Sequence, residues 1–187
     1  MASSIVSEES WAGLGADIHV IRDDGTNLRD MPWGRDGNEF CQGHQCWIGR
    51  GERAITSTGT QNPRENQLIE GTAAPHAGHT GVGTPGGWRS DLSRGFSDPH
   101  FFHFATDIEG KQFITDSGPC DREGGLYVAD LPRRKGKPLE GWTFLLKPGC
   151  SWAKSVHVHP FLSPDGKVGF FNSDETGILQ AYMVRGF

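Results

Sequence analysis

The residues with the clearest chemical potential are two histidines separated by a single valine, His157 and His159. On a β-strand, side chains two residues apart share a face, so both imidazoles would point to one side while Val156 and Val158 pack on the other. Imidazoles placed in this way can bind one cation at metal–nitrogen distances of about 2.0–2.2 Å. The same pattern also occurs on strands whose polar face binds nothing, so the pair by itself leaves both interpretations open.

Two more histidines, His44 and His103, stand at the corresponding place in earlier strand–turn–strand units, just before the first turn. The units recur at intervals of nearly sixty residues, which is typical of β-propeller blades with loop insertions. Because the inner strands of neighbouring blades meet at the propeller axis, we expect these imidazoles to converge. Such a site suits Mn, Fe or Zn, and oxygen ligands shift the preference towards Mn or Mg. The alternative is a ring of histidines that are satisfied by backbone carbonyls.

The remaining histidines have other interpretations. His76 and His79 lie in a Gly/Pro-rich loop, where solvated side chains are commoner than ligands. His100 has the opposite strand parity to His103, so it should face away from the site. His19 lies on an apparent outer strand and is expected to be structural.

The composition favours an all-β fold. Gly (27 residues) and Pro (11 residues) are abundant, and short apolar runs alternate with polar turns instead of following a helical period. We predict an N-terminal tail at residues 1–16 and, over residues 17–187, a partial β-propeller of about three four-stranded antiparallel blades. Since a closed propeller has about four to eight blades, the predicted arc is either a fragment of a larger ring or closes by self-association.

The net charge of −5 argues against nucleic-acid binding through a broad basic surface. No apolar run reaches the ~20 residues of a transmembrane helix, so no membrane partner is expected. The N-terminus lacks the basic and apolar regions of a secretory signal, and the four cysteines have no CxxC spacing. We therefore expect free thiols and a cytoplasmic location, with a Cys41–Cys46 disulfide as the alternative.

Several segments, taken in order, resemble the C-terminal half of oligogalacturonate lyases. They are IHVIRDDGTNLRDM, GHQCW, HFATDIEGKQFITDSG, LYVADL and HVHPFLSPDGKVGFFNSDETGILQAYMV, and together they extend over roughly residues 17–186. The SPDGK turn occurs in many propellers, whereas GHxxW followed much later by HxHPxxSPDGK is far more specific. The resemblance implies a seven-bladed propeller that cleaves short galacturonate chains from pectin by β-elimination.

The resemblance further implies that His44, His157 and His159 bind a divalent metal ion, usually manganese. The family has a glutamine ligand three residues before the HxH pair, where this chain has Lys154. An ammonium group cannot coordinate a metal as an amide oxygen does, so Lys154 would pair with a substrate carboxylate, unless the alignment shifts by one residue. Arg89 and Arg94 are candidates to bind other substrate carboxylates, with solvated surface charges as the alternative.

The base and the assisting arginine of the family belong to a blade upstream of the matched region, so the base is not identified. His103 corresponds to a family histidine that lines the channel, and it is a candidate for contact with substrate or metal and for the base. Two functions compete: a metal-dependent oligogalacturonate lyase, and a non-catalytic propeller that binds ligands or partners. A third, a propeller subunit of a hydrolase or translocation system, rests only on the SPDGK-type repeats.

Overall fold

The computed structural model describes residues 3–9, 16–33, 40–59, 67–75, 87–96, 99–117, 124–153 and 156–187. Every regular element in these ranges is a β-strand, and the strands form four antiparallel sheets of consecutive strands. The first two sheets contain β1 (Ser3–Glu9), β2 (Ala16–Arg22) and β3 (Arg29–Asp30), then β4 (Phe40–Trp47), β5 (Arg53–Gly59), β6 (Gln67–Thr72) and β7 (Arg89–Asp91). The last two contain β8 (Phe104–Thr106), β9 (Gln112–Asp116), β10 (Leu126–Asp130) and β11 (Glu140–Leu146), then β12 (Phe161–Leu162), β13 (Val168–Ser173) and β14 (Gln180–Arg185).

The predicted all-β class is confirmed, and two of the four sheets have the predicted four strands. The three predicted repeats each form one sheet, and β1, β2 and β3 form a fourth. The closed or partial propeller ring itself stays a prediction. Among the described residues there is no helix that is long and apolar enough to cross a membrane.

Three apolar clusters hold successive sheets together. The first joins the β1–β3 and β4–β7 sheets, and its buried members are Ile18, Val20, Met31, Trp33, Cys41, Ala54 and Ile69. The second joins the β4–β7 and β8–β11 sheets and includes Ile55, Leu68, Leu92, Phe101, Phe104 and Phe113. The third joins the β8–β11 and β12–β14 sheets through Ile114, Leu126, Val128, Val158, Leu162 and Phe171. Because alternate residues of one strand face opposite neighbours, Phe113 and Ile114 belong to different clusters.

The predicted turns DIEGK and SPDGK are present, and side chains hold them in place. The buried carboxylate of Asp107 accepts hydrogen bonds from the backbone N–H groups of Lys111 (2.6 Å) and Gln112 (2.7 Å). In the second turn the Ser163 hydroxyl donates to Asp165 at 2.7 Å, and Gly166 has a positive φ of 72°. Each turn therefore fixes the register of the strand that precedes it, which is the strand nearest the histidines.

Two predicted segments differ from the structure. Residues 3–9 belong to the predicted N-terminal tail, but they form β1 and pair with β2 from Ser3↔Arg22 to Glu9↔Ala16. The predicted strand from Val156 to Leu162 is regular only at Phe161–Leu162. Pro160 has no N–H to donate to a ladder, and His159 has a left-handed φ of 43°, so the strand is interrupted there.

The cysteines agree with the expectation of free thiols. Cys41, Cys46 and Cys150 are unbridged, and Cys120 lies outside the described residues. A Cys41–Cys46 disulfide is therefore not part of the structure.

The inter-sheet clusters should carry most of the folding free energy. We expect Phe113→Ala to lower the free energy of unfolding by about 3–5 kcal/mol, because Phe113 is fully buried between two sheets. Phe161→Ala removes the same atoms from a side chain that is 53% exposed and should cost less than about 1 kcal/mol. Urea unfolding of both variants measures the difference, and equal losses would contradict this assignment of the core.

Candidate metal centre

Three imidazoles from two neighbouring sheets converge at one point. Ligand nitrogens of His103, His157 and His159 all lie within 4.8 Å of one another. The ring centroids of His103 and His159 are 4.0 Å apart, and those of His103 and His157 are 5.2 Å apart. Two nitrogens bound to one ion at about 2.1 Å can lie at most about 4.2 Å apart, so small ring rotations bring the three into coordinating distance.

A buried carboxylate fixes the orientation of His103. The Nδ1 of His103 is 2.6 Å from the Asp116 carboxylate, whose other oxygen accepts a hydrogen bond from the His103 backbone N–H at 2.8 Å. The Asp116 side chain is fully buried, and that of His103 is 6% exposed. With Nδ1 bonded to Asp116, Nε2 is left as the ligand atom, and it is buried without a hydrogen-bond partner among the described residues. Carboxylate–histidine pairs of this kind commonly support metal ligands.

The hairpin between β8 and β9 explains why His103 and Asp116 meet. Phe104 pairs with Thr115, so the next residues outward along the two strands are His103 and Asp116. The backbone N–H of Asp116 and the Thr115 hydroxyl both donate to the His103 carbonyl, at 3.1 and 3.0 Å. The site is therefore tied to the register of one hairpin. Asp116 is absent from the predicted site residues, although pairing the two strands around the DIEGK turn would have placed it beside His103.

The other two candidate ligands, His157 and His159, lie in the segment just before β12. Val158 is fully buried in the third apolar cluster and its carbonyl accepts a hydrogen bond from Asn172 at 2.7 Å, so the backbone here is fixed to β13. His157 is half-buried and His159 is exposed, and their ring centroids are 5.5 Å apart. The prediction that Val158 packs away from the two imidazoles agrees with this arrangement, although the segment is not a regular strand.

Unfavourable backbone conformations cluster around the three histidines. The described non-glycine residues with positive φ are Asn27 (57°), Ser117 (51°), Trp152 (55°) and His159 (43°). Ser117 directly follows Asp116, and the Trp152 ring lies 5.6 Å from the His157 ring. Each such conformation costs on the order of 1–3 kcal/mol, and such residues are enriched at functional sites. Three of the four therefore lie in or beside the candidate centre.

His44 lies next to the three-histidine group. Its ring centroid is 4.6 Å from that of His103, and it lines a small open cavity of about 220 Å³ with Gln45, His103, Phe104, His159 and Pro160. It is positioned by a bulge in β4, where the register shifts between Cys41 and Gln45. Burial, followed by the nearby His103 and His159, lowers the pKa of His44. The structure thus brings His103 together with the predicted ligands His157 and His159, and sets the third predicted ligand, His44, beside them.

The predicted substrate-binding residues are less well placed or cannot be compared. Lys154, together with His76 and His79, lies outside the described residues. Arg89 donates a hydrogen bond to the Pro32 carbonyl at 2.8 Å, and Arg94 donates one to the Gly136 carbonyl at 3.0 Å. Both arginines are exposed, and neither lines the cavity beside the histidines.

His19 and His100 lie outside the histidine group, in keeping with their interpretation. His19 is buried and lies 2.9 Å from Asp30, its cross-strand partner. The His100 ring packs edge-on against Phe102 at 4.7 Å. Neither residue contributes a ligand atom to the candidate centre.

Comparison with known proteins does not identify the chain. No family model and no curated protein sequence matches it. The function is consequently inferred from the geometry of the histidine site together with the motifs of the sequence.

The Asp116 carboxylate, which is hydrogen-bonded to His103, should strengthen metal binding. We expect Asp116→Asn to weaken divalent metal binding by roughly 10–100-fold, because the amide no longer holds His103 in the required tautomer and orientation. Titration with Mn²⁺ or Zn²⁺ by calorimetry measures the change, and circular dichroism checks that the variant folds. Asp23→Asn, at an exposed position in the turn after β2, is the matched control and should bind like the parent.

The metal-free protein should lose stability in mild acid. Burial lowers the pKa of His44, and partial desolvation of the His159 ring, which packs 4.0 Å from the His103 ring although the residue is exposed, lowers that of His159. The folded state therefore resists protonation that the unfolded chain accepts near pH 6.5. The unfolded state then binds more protons, and stability falls as the pH drops below about 6.5. Urea midpoints at pH 7.5 and 5.5 in EDTA measure the slope. A His44→Gln/His159→Gln variant should show a shallower slope, and an unchanged slope would refute the assignment.

Proposed function

We propose that the chain binds a divalent metal ion through His103, His157 and His159 and uses it to hold the carboxylate of an oligogalacturonate. The supporting observation is the convergence of three imidazole nitrogens within 4.8 Å, one of them fixed by the buried Asp116. Three imidazoles leave coordination positions open, as metal sites that bind substrate do. Oxygen ligands from substrate and water in those positions favour manganese, the ion that the family resemblance implies.

Charge considerations support a local cationic centre. The chain has a net charge of −5, which by itself disfavours an acidic polysaccharide. Neutral imidazoles add no charge, so a divalent ion among them would outweigh the single negative charge of the neighbouring Asp116 and give a positive site. His159 is exposed, and the cavity beside it is open to solvent. A substrate carboxylate can therefore reach the centre from outside.

The proposed reaction is β-elimination within a galacturonate chain. A base removes the proton from the carbon that bears the carboxylate, the glycosidic oxygen leaves from the adjacent carbon, and a 4,5-unsaturated sugar results. When bound, the metal ion neutralises the carboxylate and stabilises the enediolate-like transition state, an effect of several kcal/mol. The residues of the chain have then to supply orientation, through the fixed His103, and a proton acceptor.

His44 is the best-placed proton acceptor among the described residues. It lies outside the three-nitrogen group but lines the same cavity as His103 and His159. Its lowered pKa keeps this imidazole neutral at neutral pH and therefore able to accept a proton. The sequence predicts His44 as a metal ligand and His103 as a candidate base. The proposal exchanges these roles, with His103 as a ligand and His44 as the base.

A non-catalytic binding module is the second candidate function. The described residues that line the histidine cavity include no arginine, whereas the family resemblance implies that one assists the base. The blade that carries the base and this arginine in the family also lies upstream of the matched region. A protein with the metal centre but without this assistance would retain oligogalacturonate without cleaving it.

Metal analysis and product formation distinguish these functions. We expect the parent to contain about one equivalent of metal after incubation with Mn²⁺, and His157→Ala and His159→Ala to lose it, because each removes one of three ligands. Mass-spectrometric metal analysis measures the content, and the ultraviolet absorbance of the unsaturated product reports cleavage of tri-galacturonate. His100→Gln, outside the cavity, is the matched control.

Each result has a separate meaning. A parent without metal would eliminate both the lyase and the metal-dependent binding module. Metal binding without product would leave only the binding module. If the lyase is correct, His44→Gln should keep its metal and lose product formation by at least about 100-fold, since general-base catalysis typically contributes 10²–10⁴-fold. Cleavage at the parental rate by His44→Gln would refute its role as the base.

A further inference from the structure

A second, larger cavity lies beside Trp47, the last residue of β4, and its lining residues differ from those of the histidine cavity. Its volume is about 700 Å³, within the range of small-molecule sites. The described residues that line it are Val20, Arg29, Trp47, Gly49, Arg50, Gly51, Glu52, Thr72, Ala73, Pro75 and Lys135. They come from the first two sheets, from the turn after β4 and from the 131–139 connection. Among the described residues no histidine contributes to this lining, and none of its members lines the cavity beside the histidines.

The lining carries an excess of positive charge. The described lining residues include three cations, Arg29, Arg50 and Lys135, and one carboxylate, that of Glu52, while Lys135 also interacts electrostatically with Glu70 outside the lining. Within the described part of the chain none of these three cations forms an ion pair, and the Nε of Arg29 is buried without a hydrogen-bond partner. The Lys135 ammonium lies over the Trp88 ring, 5.3 Å from its centroid. Like charges gathered in one lining repel one another, and a bound anion would offset this repulsion.

A neighbouring arginine outside the lining, by contrast, is paired with a buried carboxylate. Arg53, just beyond the cavity, forms a salt bridge with the fully buried Glu70, which also accepts a hydrogen bond from the Gly136 N–H at 3.2 Å. Because Arg53 and Gly136 already bind the Glu70 carboxylate, Lys135 is left facing the cavity without a direct contact to that carboxylate. Arg29, Arg50 and Lys135 therefore differ from Arg53, whose positive charge is neutralised by an ion pair.

We propose that this cavity binds the carboxylate of a small acidic saccharide of one or two sugar rings. Guanidinium groups recognise carboxylates through paired hydrogen bonds, and Trp47 provides an apolar wall for the C–H face of a sugar ring. Glu52 can accept hydrogen bonds from sugar hydroxyls, and its charge opposes a doubly charged phosphate more than a single carboxylate. The site requires no metal and does not depend on the lyase proposal.

Binding in the absence of metal tests the site. Digalacturonate is titrated by calorimetry into protein treated with EDTA, with galactose and galactose 6-phosphate as comparison ligands. We expect digalacturonate to bind, galactose not to bind, and galactose 6-phosphate to bind more weakly than digalacturonate. Arg50→Ala/Lys135→Ala should weaken digalacturonate binding at least about tenfold, because charge-assisted hydrogen bonds contribute about 1.5–3 kcal/mol each. Both side chains are exposed, so folding should be preserved.

Two control variants make the result specific. Arg133→Ala/Lys137→Ala removes the same charges from exposed residues outside the cavity and should bind like the parent. His157→Ala/His159→Ala should also keep this binding, even where the metal centre is lost. The proposal is overturned if the parent does not bind, if both charge-removing doubles weaken binding equally, if the histidine variant abolishes it, or if the sugar phosphate binds more tightly.

Discussion

The hydrogen bond between the His103 ring and the buried Asp116 carboxylate is the interaction on which the candidate centre depends. A fully buried carboxylate without a partner is strongly unfavourable, so Asp116 and His103 hold each other in place. The same cross-strand pairing occurs between His19 and Asp30, where both residues are buried. Pairing alone is thus a structural device of this fold. The additional imidazoles around His103 distinguish the candidate metal site from its structural counterpart.

Those imidazoles reach His103 because the sheets pack through alternating apolar faces. β8 contacts both β4 and β12, the strands nearest His44 and His159. On one side Phe104 belongs to the second cluster, and on the other Val158 belongs to the third. Since β8 and β12 are fixed by the turns that follow them, core packing and turn hydrogen bonds together determine the positions of His103, His157 and His159. The positive φ values near the site show that this packing overrides local backbone preference.

Period-two alternation and turn residues predict the strand–turn–strand units that carry the histidines, and the expectation that their first strands meet at an axis predicts that the histidines converge. These patterns do not reveal whether His44 or His103 is the metal ligand. The position of His44 depends on a bulge in β4, and that of His103 depends on Asp116, thirteen residues away in the same hairpin. The Val156–Leu162 segment alternates correctly, yet Pro160 and the left-handed His159 interrupt its ladder. The prediction of a tail at residues 1–16 is wrong for β1, since that segment has little apolar alternation to indicate a strand.

The acidic net charge makes local placement of positive charge the decisive factor for any acidic ligand. At physiological ionic strength, charges farther apart than about 8 Å are largely screened from one another. The dispersed carboxylates on the surface therefore contribute little at either cavity, and the groups in direct contact determine the sign of the field. At the histidines the positive charge has to come from a bound ion, because neutral imidazoles carry none. At the cavity beyond Trp47 the side chains of Arg29, Arg50 and Lys135 already provide it. The cavity beside Trp47 thus carries positive charge in its own side chains, whereas the histidine cavity would acquire positive charge only from a bound ion.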